Sequence, residues 1–148
     1  MKRALRSTTT VLMAAAGAFG LVLVTNSPAF AADQWRTDLL QDDVYLDLIR
    51  DGSMRGQGYF RADPVNGAPG DSFSACDRNA DGKGIEVHRK FNGSTATWKV
   101  MASTRGHSAG YCTGDITDNM TENTYLAVRL CIVEGTHQTC GPEQWTIA

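Results

Sequence analysis

The chain has 148 residues, of which 42% are hydrophobic and 20% are charged, and its formal net charge is −2. Lys2, Arg3 and Arg6 lie in the first 31 residues, which contain no Asp or Glu, so residues 32–148 keep eleven basic and sixteen acidic side chains. This acidic remainder has no run of Lys or Arg, which argues against nucleic acid or a membrane surface as the partner, because both are bound by clustered positive charge.

Residues 1–31 have the layout of a secretory signal peptide. A positive start precedes an apolar stretch from Val11 to Val24, and Ala29-Phe30-Ala31 forms a small-x-small cleavage site. The apolar stretch is shorter than the roughly 20 residues of a membrane-spanning helix. We therefore expect cleavage after Ala31 and a secreted, extracellular protein that runs from Ala32 to Ala148.

Four cysteines in a secreted chain predict two disulfides. Three pairings are possible, and we favour Cys131 with Cys140 across an expected hairpin, which leaves Cys76 with Cys112. A Cys-x-x-Cys pair is missing, so a metal site is the less favoured interpretation. The sequence predicts no cofactor and no catalytic residues.

Residues 32–43 resist any regular pattern and are predicted to form an irregular N-terminal arm. Trp35 precedes every convincing strand, and Leu39 and Leu40 follow it. Trp and Leu side chains in an arm are suited to contacts with a partner, because Trp brings a large contact area with little loss of entropy. These three residues are our first candidates for partner binding.

Strand patterns begin at Val44. The run "VYLDLIR" alternates and ends at Asp51-Gly52, a typical two-residue hairpin turn. The return strand "MRGQGYF" contains Gly56 and Gly58, which indicate a bulge or an edge. Pro and Gly then predict a loop over residues 61–71.

The second half of the chain is also rich in strand patterns. "SFSAC" and "GIEVHRKF" alternate, and Asn92-Gly93 predicts a tight turn before "TATWKVMAST". A loop follows up to Asn123, and the run "TYLAVRLCIV" is apolar on both faces, which indicates a central strand. The chain ends on "QWTIA", and Trp98 and Trp145 fit buried strand positions. We predict an all-β, immunoglobulin- or fibronectin-like sandwich of about seven strands over residues 44–148.

The segment "CDRNADGKGIE" has two interpretations. Asp77, Asn79 and Asp81 at alternate positions, followed by Gly82, match the first half of an EF-hand calcium loop. Position 12 of such a loop would be His88, which is a poor calcium ligand. A turn in which the Asp and Asn side chains bind their own backbone is therefore favoured, and a weak calcium site is the alternative.

Three passages carry a resemblance to known proteins: "GYFRADPVNGAPGDSFSACDRNADGKGIEV", "STRGHSAGYC" and "YLAVRLCIVEG" with its later cysteine. The chain from Gly58 onward resembles a group of small secreted proteins of actinomycetes, and this likeness implies secretion, disulfides and a β-sandwich. In size, secretion and its Trp-bearing arm, the chain also resembles the adaptor subunits of actinomycete umbrella-shaped toxin particles.

We therefore expect a secreted, non-catalytic protein that binds another secreted protein, with adaptor of a toxin complex as one form of that function. Arg105, His107 and Tyr111 in the long loop are further candidate contacts. An inhibitor of a secreted protease or glycosidase, with Arg105 in the enzyme cleft, is an alternative. A cell-surface or glycan-binding module is another.

Overall fold

The computed structural model describes residues 32–93 and 95–148, and the expected signal peptide lies outside them. Within these ranges no helix has the length and hydropathy needed to cross a membrane. The secondary structure consists of strands: β1 Gln34–Leu40, β2 Asp43–Arg50, β3 Ser53–Arg61, β4 Ser72–Asp77, β5 Gly84–Phe91, β6 Lys99–Ser103, β7 Ile116–Thr117, β8 Tyr125–Glu134, β9 His137–Cys140 and β10 Gln144–Ile147.

The strands form two antiparallel sheets that pack face to face. The first sheet has the order β1-β2-β3-β4-β7, and the second has the order β10-β8-β5-β6, with β9 paired to β8 beyond the end of β10. The predicted all-β sandwich is confirmed, with ten strands where about seven were expected. The immunoglobulin- or fibronectin-like type stays a prediction.

The core lies between the sheets and is built from residues at alternate strand positions, because successive side chains of a strand point to opposite faces. Phe60 and Phe73 are fully buried, and their ring centroids are 4.8 Å apart. From the second sheet, Leu126, Val128 and Leu130 of β8 are buried against them in one apolar cluster.

The turn between β2 and β3 has the predicted form. Asp51 and Gly52 both have positive φ, 54° and 71°, as a tight hairpin turn requires. The predicted bulge is also present: Leu48 pairs with Gly56 but Ile49 pairs with Met54, so Arg55 is the extra residue.

Gly58 faces the second sheet at a point of close approach. A Cβ at this position would lie 2.6 Å from a methyl carbon of Val87 and 2.6 Å from one of Leu130. Both are buried core side chains. The glycine therefore lets β3 approach β5 and β8 at a distance that a larger residue would prevent.

The prediction of an irregular arm over residues 32–43 is wrong. Gln34 to Leu40 form β1, which pairs with β2 from Gln34–Ile49 to Leu40–Asp43. Gln41 has a φ of 56° in the turn between the two strands. Asp33 anchors the start of β1, because its carboxylate accepts two hydrogen bonds from the Arg50 guanidinium, at 2.7 and 2.9 Å.

The connection from β5 to β6 also differs from the prediction. The two strands pair as expected, but β5 ends at Phe91 and β6 begins only at Lys99, so Asn92-Gly93 is not a two-residue hairpin turn. Val87 pairs with Ala102 and His88 with Val100, which makes Met101 a bulged residue. The bulge turns Val100 to solvent and leaves Trp98 only half-buried.

Asp118 joins the segment after β7 to the second sheet. Its carboxylate accepts hydrogen bonds from the Arg89 guanidinium and, at 3.0 Å, from Lys99 Nζ. Burial by itself would raise the pKa of this carboxyl, but the hydrogen bonds from Lys99 and Arg89 outweigh burial and hold the pKa below its usual value.

Gly58→Ala is expected to destabilise the protein by about 1–3 kcal/mol, because the added methyl overpacks the contact with Val87 and Leu130. The free energy of unfolding in urea measures the effect. Gly114→Ala is the matched control, since no atom lies within 4 Å of a Cβ there. Equal stability of the two variants would show that the sheets have room to separate at Gly58.

Asp118→Asn is expected to lower the free energy of unfolding at neutral pH by about 1.5–3 kcal/mol, the range for hydrogen bonds to charged groups. The unfolded chain protonates this carboxylate at a higher pH than the folded chain does, so its stabilising effect is complete above about pH 5. The effect is lost as the pH falls through the lowered folded-state pKa.

Urea denaturation of wild type and Asp118→Asn measures this difference at neutral pH and near pH 2.5, where an aspartate of the unfolded chain, with its usual pKa of about 3.9, is largely protonated. The cost of the substitution should be markedly smaller in acid. Glu122→Gln, at an exposed carboxyl, is the control and should change little. An unchanged cost of Asp118→Asn in acid would contradict the role assigned to its charge.

Candidate partner-binding surface

An exposed apolar groove lies where the free edges of the two sheets meet. It has a volume of about 250 Å³ and is lined by Leu39, Gln41, Asp42, Tyr125, Trp145, Thr146 and Ile147. Leu39 of β1 is 53% exposed, Tyr125 of β8 is 58% exposed and Trp145 of β10 is 44% exposed. Isolated exposed apolar residues are common, but a cluster of them in a groove is typical of an interaction site.

The strand pairings place these side chains. Leu39 lies opposite Val44 on β2, and Trp145 lies opposite Ala127 on β8. The Thr146 hydroxyl donates a 2.6 Å hydrogen bond to the Asp42 carbonyl oxygen, which fastens the β1–β2 turn to β10. The two walls of the groove are therefore held together although they belong to different sheets.

The β1 strand forms one edge of the first sheet. Among the described strands it pairs only with β2. The backbone groups on its outer side are thus available to another strand. Leu40 is 63% exposed and shares with Tyr45 and Tyr59 a second pocket of about 500 Å³ on the outer face of this sheet. Leu39 and Leu40 therefore lie on opposite faces of the same edge.

Trp35 does not lie in the groove. Its ring rests on the backbone of Gly141, where a Cβ would come within 2.6 Å of the ring, and it packs against the hydrophobic core. Trp35 closes the edge of the sandwich beside the groove. Its expected role as a first partner contact is therefore not supported by its position.

The predicted contacts of the long loop lie apart from the groove. Arg105 Nε donates a 2.5 Å hydrogen bond to Glu86, and its Nη1 donates to the Gly135 carbonyl oxygen at 2.6 Å. The rings of His107 and Tyr111 stack with centroids 3.7 Å apart. The structure does not bring these residues together with Leu39 and Leu40.

Both predicted disulfides are confirmed. Cys76 at the end of β4 is bonded to Cys112 in the long loop, and Cys131 of β8 is bonded to Cys140 directly opposite on β9. The first bond holds the loop against the first sheet. The second joins the two strands of the expected C-terminal hairpin.

The turn interpretation of residues 77–82 is also confirmed. Asp77 Oδ1 accepts a hydrogen bond from the Asn79 amide at 2.9 Å, and Asp81 Oδ1 accepts one from the Lys83 amide at 3.1 Å. Gly82 has a φ of 75°. The turn carries the chain from β4 in the first sheet to β5 in the second. Calcium binding by Asp77, Asn79 and Asp81 stays a hypothesis.

Of the seven residues that line the groove, sequence reasoning identified only Leu39, and it missed both aromatic members, Trp145 and Tyr125. Trp145 was assigned to the core, but it stands on the outer face of an edge strand, and Tyr125 was treated only as part of a strand. The available signal was that "QWTIA" lies outside the run "TYLAVRLCIV", the predicted central strand.

The fold and the surface define a class of protein, a disulfide-bonded β-sandwich with an apolar groove beside a free strand edge. Comparison of the chain with protein-family models, curated proteins and solved structures finds no match.

Trp35→Ala is expected to lower the free energy of unfolding by about 1.5–3 kcal/mol, because it removes a large side chain from the core edge and from Gly141. Trp145→Ala is the matched control and should change stability by less than Trp35→Ala does, since Trp145 is 44% exposed and lies outside the core cluster. Chemical denaturation measures both. A Trp35→Ala variant as stable as wild type would return Trp35 to the candidate binding residues.

Proposed function

We propose that the chain is a secreted, non-catalytic binding protein that docks a protein partner on its apolar groove and on the adjoining edge of β1. One observation carries the proposal: exposed Leu39, Tyr125 and Trp145 lie together beside a strand edge with no partner in the described structure. A partner segment added along β1 would gain backbone hydrogen bonds and also bury these side chains.

The composition of the groove suits protein binding. Interfaces are enriched in Trp and Tyr, and the residues that carry most of the binding energy are usually Trp, Tyr and Arg side chains near the centre of the interface. An adaptor that joins two secreted proteins is one form of this function, and the signal peptide and the resemblance to toxin-particle adaptors favour it. The disulfides agree with an oxidising, extracellular location.

The inhibitor alternative is less favoured by the geometry of Arg105. A side chain that enters an enzyme cleft should project freely, whereas the Arg105 guanidinium is paired with Glu86 and with the Gly135 carbonyl oxygen. If the Arg105 guanidinium left this position, the buried Glu86 carboxylate would lose its ion pair with Arg105, and breaking a buried ion pair is costly.

Leu39→Glu tests the proposal, because a carboxylate in the groove would be desolvated by any apolar partner surface. We expect the affinity for the partner to fall at least about tenfold, as at a residue central to an interface. Val100→Glu is the matched control, since Val100 is 48% exposed on β6, an edge strand on the other side of the second sheet. Circular dichroism should show that both variants are folded.

The measurement has two stages. Immobilised wild type, Leu39→Glu and Val100→Glu are exposed to the secreted proteins of the source organism, and the proteins retained by wild type and by Val100→Glu are identified and then titrated in purified form. Equal retention by all three, or no specific retention by wild type, would contradict the proposal. Loss of binding in Arg105→Ala but not in Leu39→Glu would assign the function to the long loop.

A further inference from the structure

A buried polar cluster lies on the outer face of the second sheet, away from the apolar core. Glu86 and His88 of β5 are 4% and 3% exposed, and Cys131 of β8 is fully buried beside them. Cys131 lies opposite Glu86 on one side and opposite Cys140 of β9 on the other. The strand pairing thus places a carboxylate, an imidazole and a disulfide next to one another.

The imidazole of His88 bridges the carboxylate and the disulfide. Its Nε2 is 2.9 Å from Glu86 Oε2, and its Nδ1 is 3.6 Å from Cys131 Sγ. Because the Glu86 carboxylate is an acceptor that also holds Arg105 and Ser103, His88 donates its Nε2–H to Glu86, and Nδ1 faces the sulfur.

We propose that Cys131, Cys140 and His88 form a zinc site when the Cys131–Cys140 disulfide is reduced. Their possible ligand atoms, two sulfurs and Nδ1, all lie within 4.8 Å of one another. Two thiolates and one imidazole are a ligand set that zinc prefers, with the fourth position left for water or a substrate. A metal-binding histidine commonly donates a hydrogen bond from its second ring nitrogen to a carboxylate, and this bond fixes the ring and raises its basicity. Glu86 is the carboxylate in that position for His88.

The reduction that opens the site consumes a thiol reductant. Two reductant thiols give two electrons and two protons to the disulfide, which yields the thiols of Cys131 and Cys140 and one disulfide of the reductant. Zinc then displaces the two thiol protons and binds both thiolates together with the neutral His88. Disulfide and metal site exclude each other, so zinc binding reports the redox state of this pair.

The sheet allows the necessary change in sulfur spacing. Tetrahedral zinc with Zn–S bonds of about 2.3 Å holds its two sulfurs about 3.8 Å apart. Cys131 and Cys140 lie directly opposite each other with Cα atoms 4.0 Å apart, so once the disulfide is open, rotation of the two side chains can bring the sulfurs to this spacing while β8 and β9 stay paired. The described residues contain no second group of this kind, and the Cys76–Cys112 pair belongs to none.

Zinc competition against a chromophoric chelator tests the proposal on protein reduced with a phosphine and on oxidised protein. Reduced wild type should bind one zinc ion per chain, and oxidised wild type should bind none at this site. His88→Gln should lower the affinity of the reduced protein at least about tenfold, and Glu86→Gln about 10- to 100-fold. His137→Gln, which alters an exposed histidine on β9, is the matched control and should leave the affinity unchanged.

Cobalt supplies a second readout. Reduced wild type and His137→Gln should show a thiolate-to-cobalt absorption and tetrahedral bands, and His88→Gln should show a changed spectrum. The proposal is overturned if reduced wild type binds no zinc, or if His88→Gln and wild type bind it equally. It is also overturned if the reduced chain loses its near-ultraviolet circular dichroism and zinc does not restore it, because the site requires the folded sheet.

Discussion

The pairing of β8 with β5 is the contact on which the rest of the structure depends. It extends without a break from Gly84–Val133 to Phe91–Leu126. The inner faces of the two strands supply a large part of the core, and their outer faces carry Glu86, His88 and Cys131. On its other side β8 holds β9 and β10, so the same strand positions the disulfide at one end and Tyr125 of the groove at the other. A strand that is apolar on both faces is suited to this central place.

Local sequence signals predicted the parts of the fold that depend on neighbouring residues. Asp51-Gly52 predicted a turn whose two positive φ values are observed, and the alternation of "VYLDLIR" predicted β2. The Cys131–Cys140 pairing also followed from a local hairpin. These signals succeed because turn geometry and strand alternation act over a few residues, so distant parts of the chain have little influence on them.

The errors arose where distant segments decide the outcome. Trp35, Thr37 and Leu39 do alternate with Arg36 and Asp38, but β1 forms because the Gln41 turn folds this short segment back on β2. Only the β1 side of the groove could be predicted from the sequence. The other side contains Trp145 of β10, a strand that lies near β2 because the two sheets pack together. A bulge at Met101 similarly moved Val100 out of the face predicted for it.

The burial of Glu86 and His88 shows how strand alternation can conceal a candidate site. Their positions predict an outward face, and that is where they lie, but the disulfide and the Arg105 side chain cover them. Burial alone would raise the pKa of the Glu86 carboxyl, yet hydrogen bonds from His88 and Arg105 outweigh it and the pKa lies below its usual value. Burying such groups is costly unless they are fully paired. An apolar outer face would avoid this cost, so the cluster is a stronger sign of function than the exposed side chains of His107 and His137.

The position of the groove also bears on how a partner would bind. A strand added to β1 would continue the pleat of the first sheet, so its side chains would alternate between the two faces of that sheet. On one face they would meet Leu39 and the groove, and on the other they would meet Leu40, Tyr45 and the outer pocket. Arg36 and Asp38 on the outer face would select a partner with complementary charges, as charged residues on free edges also discourage pairing with unsuitable strands. Backbone pairing would thus contribute affinity, and the two leucines with their flanking charges would determine which segment is accepted.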